Sequence, residues 1–107
     1  MLPAEPLRLS ATEFVEWAGG RVPGPIPTNT RITLDSWRKG ESFADALKKI
    51  ALELRDGTRR VVLFSAGDQA VCVYSDDAPP RLFRIGDELT IPDVLPGFSA
   101  PVHKFFG

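Results

Sequence analysis

The residues that most often carry covalent or metal chemistry are scarce in this sequence. Its 107 residues include one cysteine and one histidine. A single cysteine, Cys72, excludes an internal disulfide. It lies inside the apolar run AVCVY (70–74), where it reads as a small buried strand residue rather than a nucleophile. The lone His103 forms neither a Cys/His metal spacing nor a catalytic dyad. No run approaches the ~20 apolar residues that span a bilayer. Near the N-terminus, Glu5 and the prolines stand where a signal peptide needs an apolar segment. A charge excess is missing too: 13 Lys and Arg face 14 Asp and Glu, a net charge of -1, with a pI near 5.8. A strongly basic nucleic-acid binder is therefore not expected. The paired cations Arg38-Lys39, Lys48-Lys49 and Arg59-Arg60 read as solvated surface. The expected setting is a reduced cytoplasm.

What is present is an ordinary globular balance, 43% hydrophobic and 25% charged, in a length that predicts one domain with one modest core. Residues 1–8 read as a loose, flexible leader, and residues 9–107 as the domain. LSATEFVEWA opens with Ser10 and Glu13 in the spacing of a capping box, with Leu9 and Phe14 placed as a hydrophobic staple. Gly19-Gly20 should end that helix. The loop 19–30, GGRVPGPIPTNT, is punctuated by glycines and by Pro23, Pro25 and Pro27, which disfavour helix in the residues before them. RITLDSW then alternates like a short strand. ESFADALKKIALELRDG is the best helix. Ser42 caps it, Asp45 sits at the favourable end of the dipole, and Gly57 stops it. Phe43, Ala46, Leu47, Ile50, Ala51 and Leu54 mark one face. Asp45 and Lys49, four apart, should pair on its outer flank.

The rest reads as strands. VVLFSA is continuous and apolar, as in a strand buried on both faces. A turn at Gly67-Asp68 returns the chain through AVCVY. Leu82 to Ile85 and Leu89 to Ile91 are further strands about a Gly86-Asp87 turn. The chain closes on DVLPGFSAPVHKFF (93–106), with a turn expected at Pro96-Gly97 and a last helical turn near Pro101. The apolar residues of this closing stretch should pack on the sheet beside the Phe43-Leu47-Ile50-Leu54 face. The fold class is α+β: a small mixed, mainly antiparallel sheet packed on one main helix.

This order of elements, with the closing segment IGDELTIPDVLPGFSAPVHKFF, resembles the C-terminal half of the bacterial Uma-two family of restriction-endonuclease-type proteins, within the PD-(D/E)XK nuclease superfamily. The family's closure is a Gly-Asp turn, an apolar strand, Leu-Pro-Gly-Phe and a Pro-Val-x-x-Phe finish. Val71-Cys72-Val73-Tyr74 matches its Val-x-Val-Tyr strand, and LSATEFVEW its opening helix. The resemblance covers residues 32–106 and, more loosely, 9–20.

Such nucleases hold a divalent metal, usually Mg²⁺, on clustered carboxylates beside the scissile phosphate. Carried over by residue, the resemblance puts Asp35 where the family has a metal-binding Glu, and Lys49 at its helical lysine. The family's first Asp has no counterpart. The strands that would carry it are replaced by the loop 19–30, and Ser65-Ala66 stands where the family has Asp-Pro. The chain is thus expected to be a shortened, degenerate relative without nuclease activity and without a cofactor. It would act as a binding or oligomerising module. Its partner would be itself or a full-length paralogue, met at a sheet edge left exposed by the missing strands. The alternative is a minimal Mg²⁺-dependent DNA endonuclease using Asp35, with Asp45 and Lys49. Nucleic-acid binding without cleavage ranks last.

Overall fold

A computed structural model describes residues 2–22 and 24–106; Met1, Pro23 of the loop and Gly107 lie outside the described residues. The chain runs β1 (Leu7–Ser10), α1 (Ala11–Ala18), β2 (Arg31–Ser36), α2 (Phe43–Arg55), β3 (Arg60–Ser65), β4 (Ala70–Tyr74), β5 (Arg81–Arg84), β6 (Glu88–Ile91), β7 (Leu95–Pro101) and α3 (His103–Phe106). Strands β1 to β5 form one sheet in sequence order, and β6 and β7 form a separate hairpin. Among the described strands only β2 and β3 pair in parallel, joined through α2 as a parallel crossover requires; the other pairs are antiparallel. The fold is the expected α+β class with a mainly antiparallel sheet.

Both long helices begin and end where local chemistry directs. Ser10 and Glu13 complete the capping box on α1, and Gly19 stops it in the left-handed conformation at φ +67°. Ser42 Oγ accepts from the Asp45 N–H at the start of α2. At its end the Thr58 N–H donates to the Glu53 carbonyl and the Gly57 N–H to that of Leu54. With Gly57 at φ +102°, this is a Schellman closure.

The sheet divides the molecule into two unequal layers. Because side chains alternate along a strand, Ile32, Leu34, Val62, Phe64, Val71, Val73 and Phe83 share one face. They form the main core with α1, β6, β7 and α3, including Phe14, Leu95, Phe98, Val102 and Phe105. The opposite face holds a smaller cluster of Ile50, Val61 and Leu63, bordered by Trp37, Leu54 and Tyr74. All of β3 except Ser65 is buried, as a strand covered on both sides should be.

Four expectations are corrected. Residues 7 and 8 do not belong to a loose leader: Leu7 and Arg8 pair with Leu34 and Thr33 as the first strand, and Ser36 Oγ donates to the Pro3 carbonyl. The closing stretch packs on α1 across the sheet from α2, because Phe98 and Phe105 sit with Phe14 and Trp17 in the main core. The turn falls at Pro92–Val94, where the Val94 N–H donates to the Ile91 carbonyl and Pro92 takes the position its fixed φ suits. Pro96 and Gly97 lie inside β7. The α2 face is only partly used: Ala46 and Ile50 are buried, but Phe43 and Leu47 are 48% and 37% exposed, because α2 rests on β3 and leaves β4 and β5 uncovered.

Candidate functional site

The chemistry singled out in the sequence falls on the seam between β2 and α2. Asp35 faces α2 from β2, in register with Leu63 of β3, and is 5% exposed. Its Oδ1 accepts from the Ser36 N–H at 2.8 Å. Lys49, on the second turn of α2, reaches inward, its Nζ 3.7 Å from Asp35 Oδ2 and 2.5 Å from Glu41 Oε2. Glu41 lies in the short loop before α2, fixed by the Trp37 indole N–H, which donates to its carbonyl at 2.8 Å, and by its own N–H, which donates to the Arg38 carbonyl. The hydrogen bond from Lys49 holds the Glu41 carboxyl below its usual range.

The expected Asp45–Lys49 pair does not form. Lys49 turns to the buried carboxylate instead, and Asp45 is exposed with no ion pair among the described residues. The structure thus brings Asp35 and Lys49 together, adds Glu41, and leaves Asp45 outside. Sequence spacing gave little hint of Glu41, since a loop glutamate eight positions before a lysine fits no helical rule.

One helical turn along the seam stands a second cluster. Arg8 donates to both Glu53 carboxylate oxygens. Glu53 also accepts from Thr33 Oγ1 at 3.2 Å, and Thr33 and Thr58 share a hydrogen bond of 2.8 Å. The bond from Arg8 holds the Glu53 carboxyl below its usual value. Here, too, a carboxylate is matched by a cation on β1, the strand that sequence reasoning missed.

This donor set does not fit Mg²⁺. A hard dication takes six oxygens in near-octahedral array. Asp35 and Glu41 instead share an ammonium, and no group of three His, Cys, Asp or Glu side chains among the described residues is placed to hold a metal. No buried side-chain nitrogen or oxygen among them lacks a hydrogen-bond partner, so none is left waiting for a ligand.

Two hollows flank the seam. A shallow one of about 570 Å³ lies over Arg8, Ser10, Asn29, Arg31 and Gly57. Its two arginines are already engaged, Arg8 by Glu53 and Arg31 by the Asp56 carbonyl and Thr58, so it offers no free anion site. The other, about 310 Å³, is an apolar groove over β4 and β5 between Trp37, Phe43, Leu63, Tyr74 and Leu82. Cys72 also lines it. It is half-buried rather than buried, because no element among the described residues covers β4 on that side. Burial pushes the thiol up, away from the reactive thiolate. Burial, followed by the hydrogen bond with Cys72, pushes the Tyr74 hydroxyl up to about 12.

Comparison with solved structures places the architecture. A protein from Anabaena variabilis described as a putative nuclease belonging to DUF820 superposes with a TM-score of 0.59 at 20% sequence identity, over 70% of this chain. The chain has a nuclease-like fold. It spans only 42% of that neighbour's length. No family model matches the chain, and no curated protein does. No helix among the described residues is long and apolar enough to cross a membrane.

Proposed function

We propose that this nuclease-like chain is a non-catalytic module, a shortened Uma-two-type domain that works by binding another protein chain. The observation that carries the reading is Lys49. Its ammonium lies between Asp35 and Glu41, so these two carboxylates already share a cation, whereas metal-dependent phosphodiester cleavage needs clustered carboxylates open to a dication. The sheet edges are the less favourable surface for such binding. Both edge strands, β1 and β5, are four residues long and carry Arg8, Arg81 and Arg84. Short, charged edges of this kind discourage strand addition.

A second reading is favoured by one observation. Asp35 and Lys49 lie 3.7 Å apart, a carboxylate on a strand beside a lysine on the next helix. In that reading the chain is a Mg²⁺-dependent DNA endonuclease using Asp35, Asp45 and Lys49. Incubation of the purified protein with DNA and Mg²⁺ or Mn²⁺, beside Asp35→Ala, separates the two. The expected result is no cleavage by either protein. Cleavage by the wild type that disappears in Asp35→Ala would overturn the non-catalytic reading.

A further inference from the structure

The surface of greatest interest is the uncovered half of the α2 side of the sheet. Strand register places Leu63, Cys72 and Leu82 in one row across β3, β4 and β5, with Ser65, Ala70 and Arg84 in the next. On the opposite face the same strands are sealed by the main core. On this face no element among the described residues covers β4 and β5, and Leu82 is 54% exposed. The groove above them has an aromatic wall, with the Trp37 and Phe43 rings 5.3 Å apart. Its neighbour is a ridge, the outer flank of α2, where Phe43 and Leu47 are exposed. An apolar groove beside an apolar ridge is self-complementary under a two-fold axis, because each copy then seats its ridge in the other's groove.

We propose that this groove is the docking surface for a second copy of the chain, with α2 of each copy covering β4 and β5 of the other. The proposal rests on the binding-module reading and names its partner. Charge selects a second copy over an unrelated apolar segment. The groove is bordered by Asp68 and Arg84, and the exposed flank of α2 carries Asp45 and Lys48. Among the described residues none of these four takes part in a salt bridge within the chain. Each surface thus offers one acid and one base, and the opposite signs meet as Asp45 with Arg84 and Lys48 with Asp68. A stable interface of ordinary size needs roughly 800 Å² per partner, about an eighth of the chain's 6244 Å² of accessible surface. Seating α2 in the groove also supplies the second covering layer that a largely apolar sheet face requires.

The test is sedimentation equilibrium of the full chain over a concentration series, with circular dichroism melts to show that each variant folds. The wild type is expected to pass from monomer to dimer. Arg84→Glu should raise the dissociation constant about tenfold or more, Leu82→Asp should abolish the dimer, and Asp45→Arg added to Arg84→Glu should restore it. If Leu82→Asp fails to fold, Leu47→Glu on the ridge makes the same test. A wild type monomeric throughout, or a folded Arg84→Glu that dimerises normally, overturns the proposal. So does a double reversal that restores nothing, because Arg84 would then not meet Asp45 across the interface. The same samples are assayed for DNA cleavage. A dimer that cleaves DNA overturns the non-catalytic reading and leaves the interface standing. A monomer that does not cleave removes the interface alone.

Discussion

Removing residues 94–107 should unfold the protein, although this removes none of the five strands of the main sheet. Leu95, Phe98, Val102 and Phe105 are at most 7% exposed. Burial of side chains of this size is worth about 1.5–3 kcal/mol each, so these four contribute roughly 6–12 kcal/mol, an upper bound because denatured chains already hide some surface. A domain of this size is stable by only about 5–15 kcal/mol. The truncation also uncovers residues it leaves behind. Phe14 faces Phe98 at 5.3 Å, Trp17 stacks on Phe105 at 5.5 Å, and Phe64 meets Phe105 at 5.4 Å. Strand β6 loses its only pairing partner, β7. The assay is thermal unfolding followed by circular dichroism, with Phe98→Ala as a milder step. That single change should cost about 3–5 kcal/mol and lower Tm by more than about 12 °C. A truncated chain that melts cooperatively near the wild-type temperature would refute the reasoning.

Gly20 should not tolerate a side chain. A Cβ there would lie 2.4 Å from a Phe98 ring carbon and 2.8 Å from the Ser99 carbonyl oxygen, whereas at Gly24 nothing lies within 4 Å. Gly20→Ala should therefore destabilise by about 1–3 kcal/mol in urea titrations, and Gly24→Ala should be near neutral. Acid should also weaken the fold through Glu53. Its folded carboxyl is held below the ordinary 4.5 by the hydrogen bond from Arg8, so the stability it contributes is present above that value and lost as pH falls through the folded one. Tm measured against pH should show this acid limb, and Glu53→Gln should flatten it; an unchanged limb would refute the assignment.

What the sequence made legible was local. Caps, helix stops and the Gly67-Asp68 and Gly86-Asp87 turns depend on residues within one turn of each other, and all form as expected. What it hid was set by partners far away in the chain. LRLS (7–10) alternates over only four residues and becomes a strand because β2, more than twenty positions on, offers an edge. The Asp45–Lys49 pairing obeyed the helical i,i+4 rule but failed because Lys49 had a nearly buried carboxylate to satisfy, and leaving Asp35 unpaired would be costly. The closing turn was misplaced because Pro-Gly at 96–97 is a stronger local turn signal than Pro-Asp at 92–93. The strand instead absorbs Gly97 at φ +82°, next to the irregular register between Leu89 and Ile91. The stripe on α2 was visible, but its half-exposure was not, because no local pattern says how far a sheet extends beyond the helix that covers it.

In the non-catalytic reading, the seam between β2 and α2 is where a nuclease-like fold and nuclease chemistry part company. Cleavage of a phosphodiester by a metal ion needs a cluster whose charge stays negative until the cation arrives. Here the carboxylates of the seam are engaged within the chain: Asp35 and Glu41 share the one ammonium of Lys49, and Glu53 pairs with Arg8. For Mg²⁺ to take both carboxylates, Lys49 would have to leave two acids and give up the contact that holds the Glu41 loop to α2. The same ammonium ties the loop, the helix and the strand together. Removing one partner would leave a nearly buried charge unmet, so Asp35 and Lys49 have a structural role whichever reading of the chemistry holds.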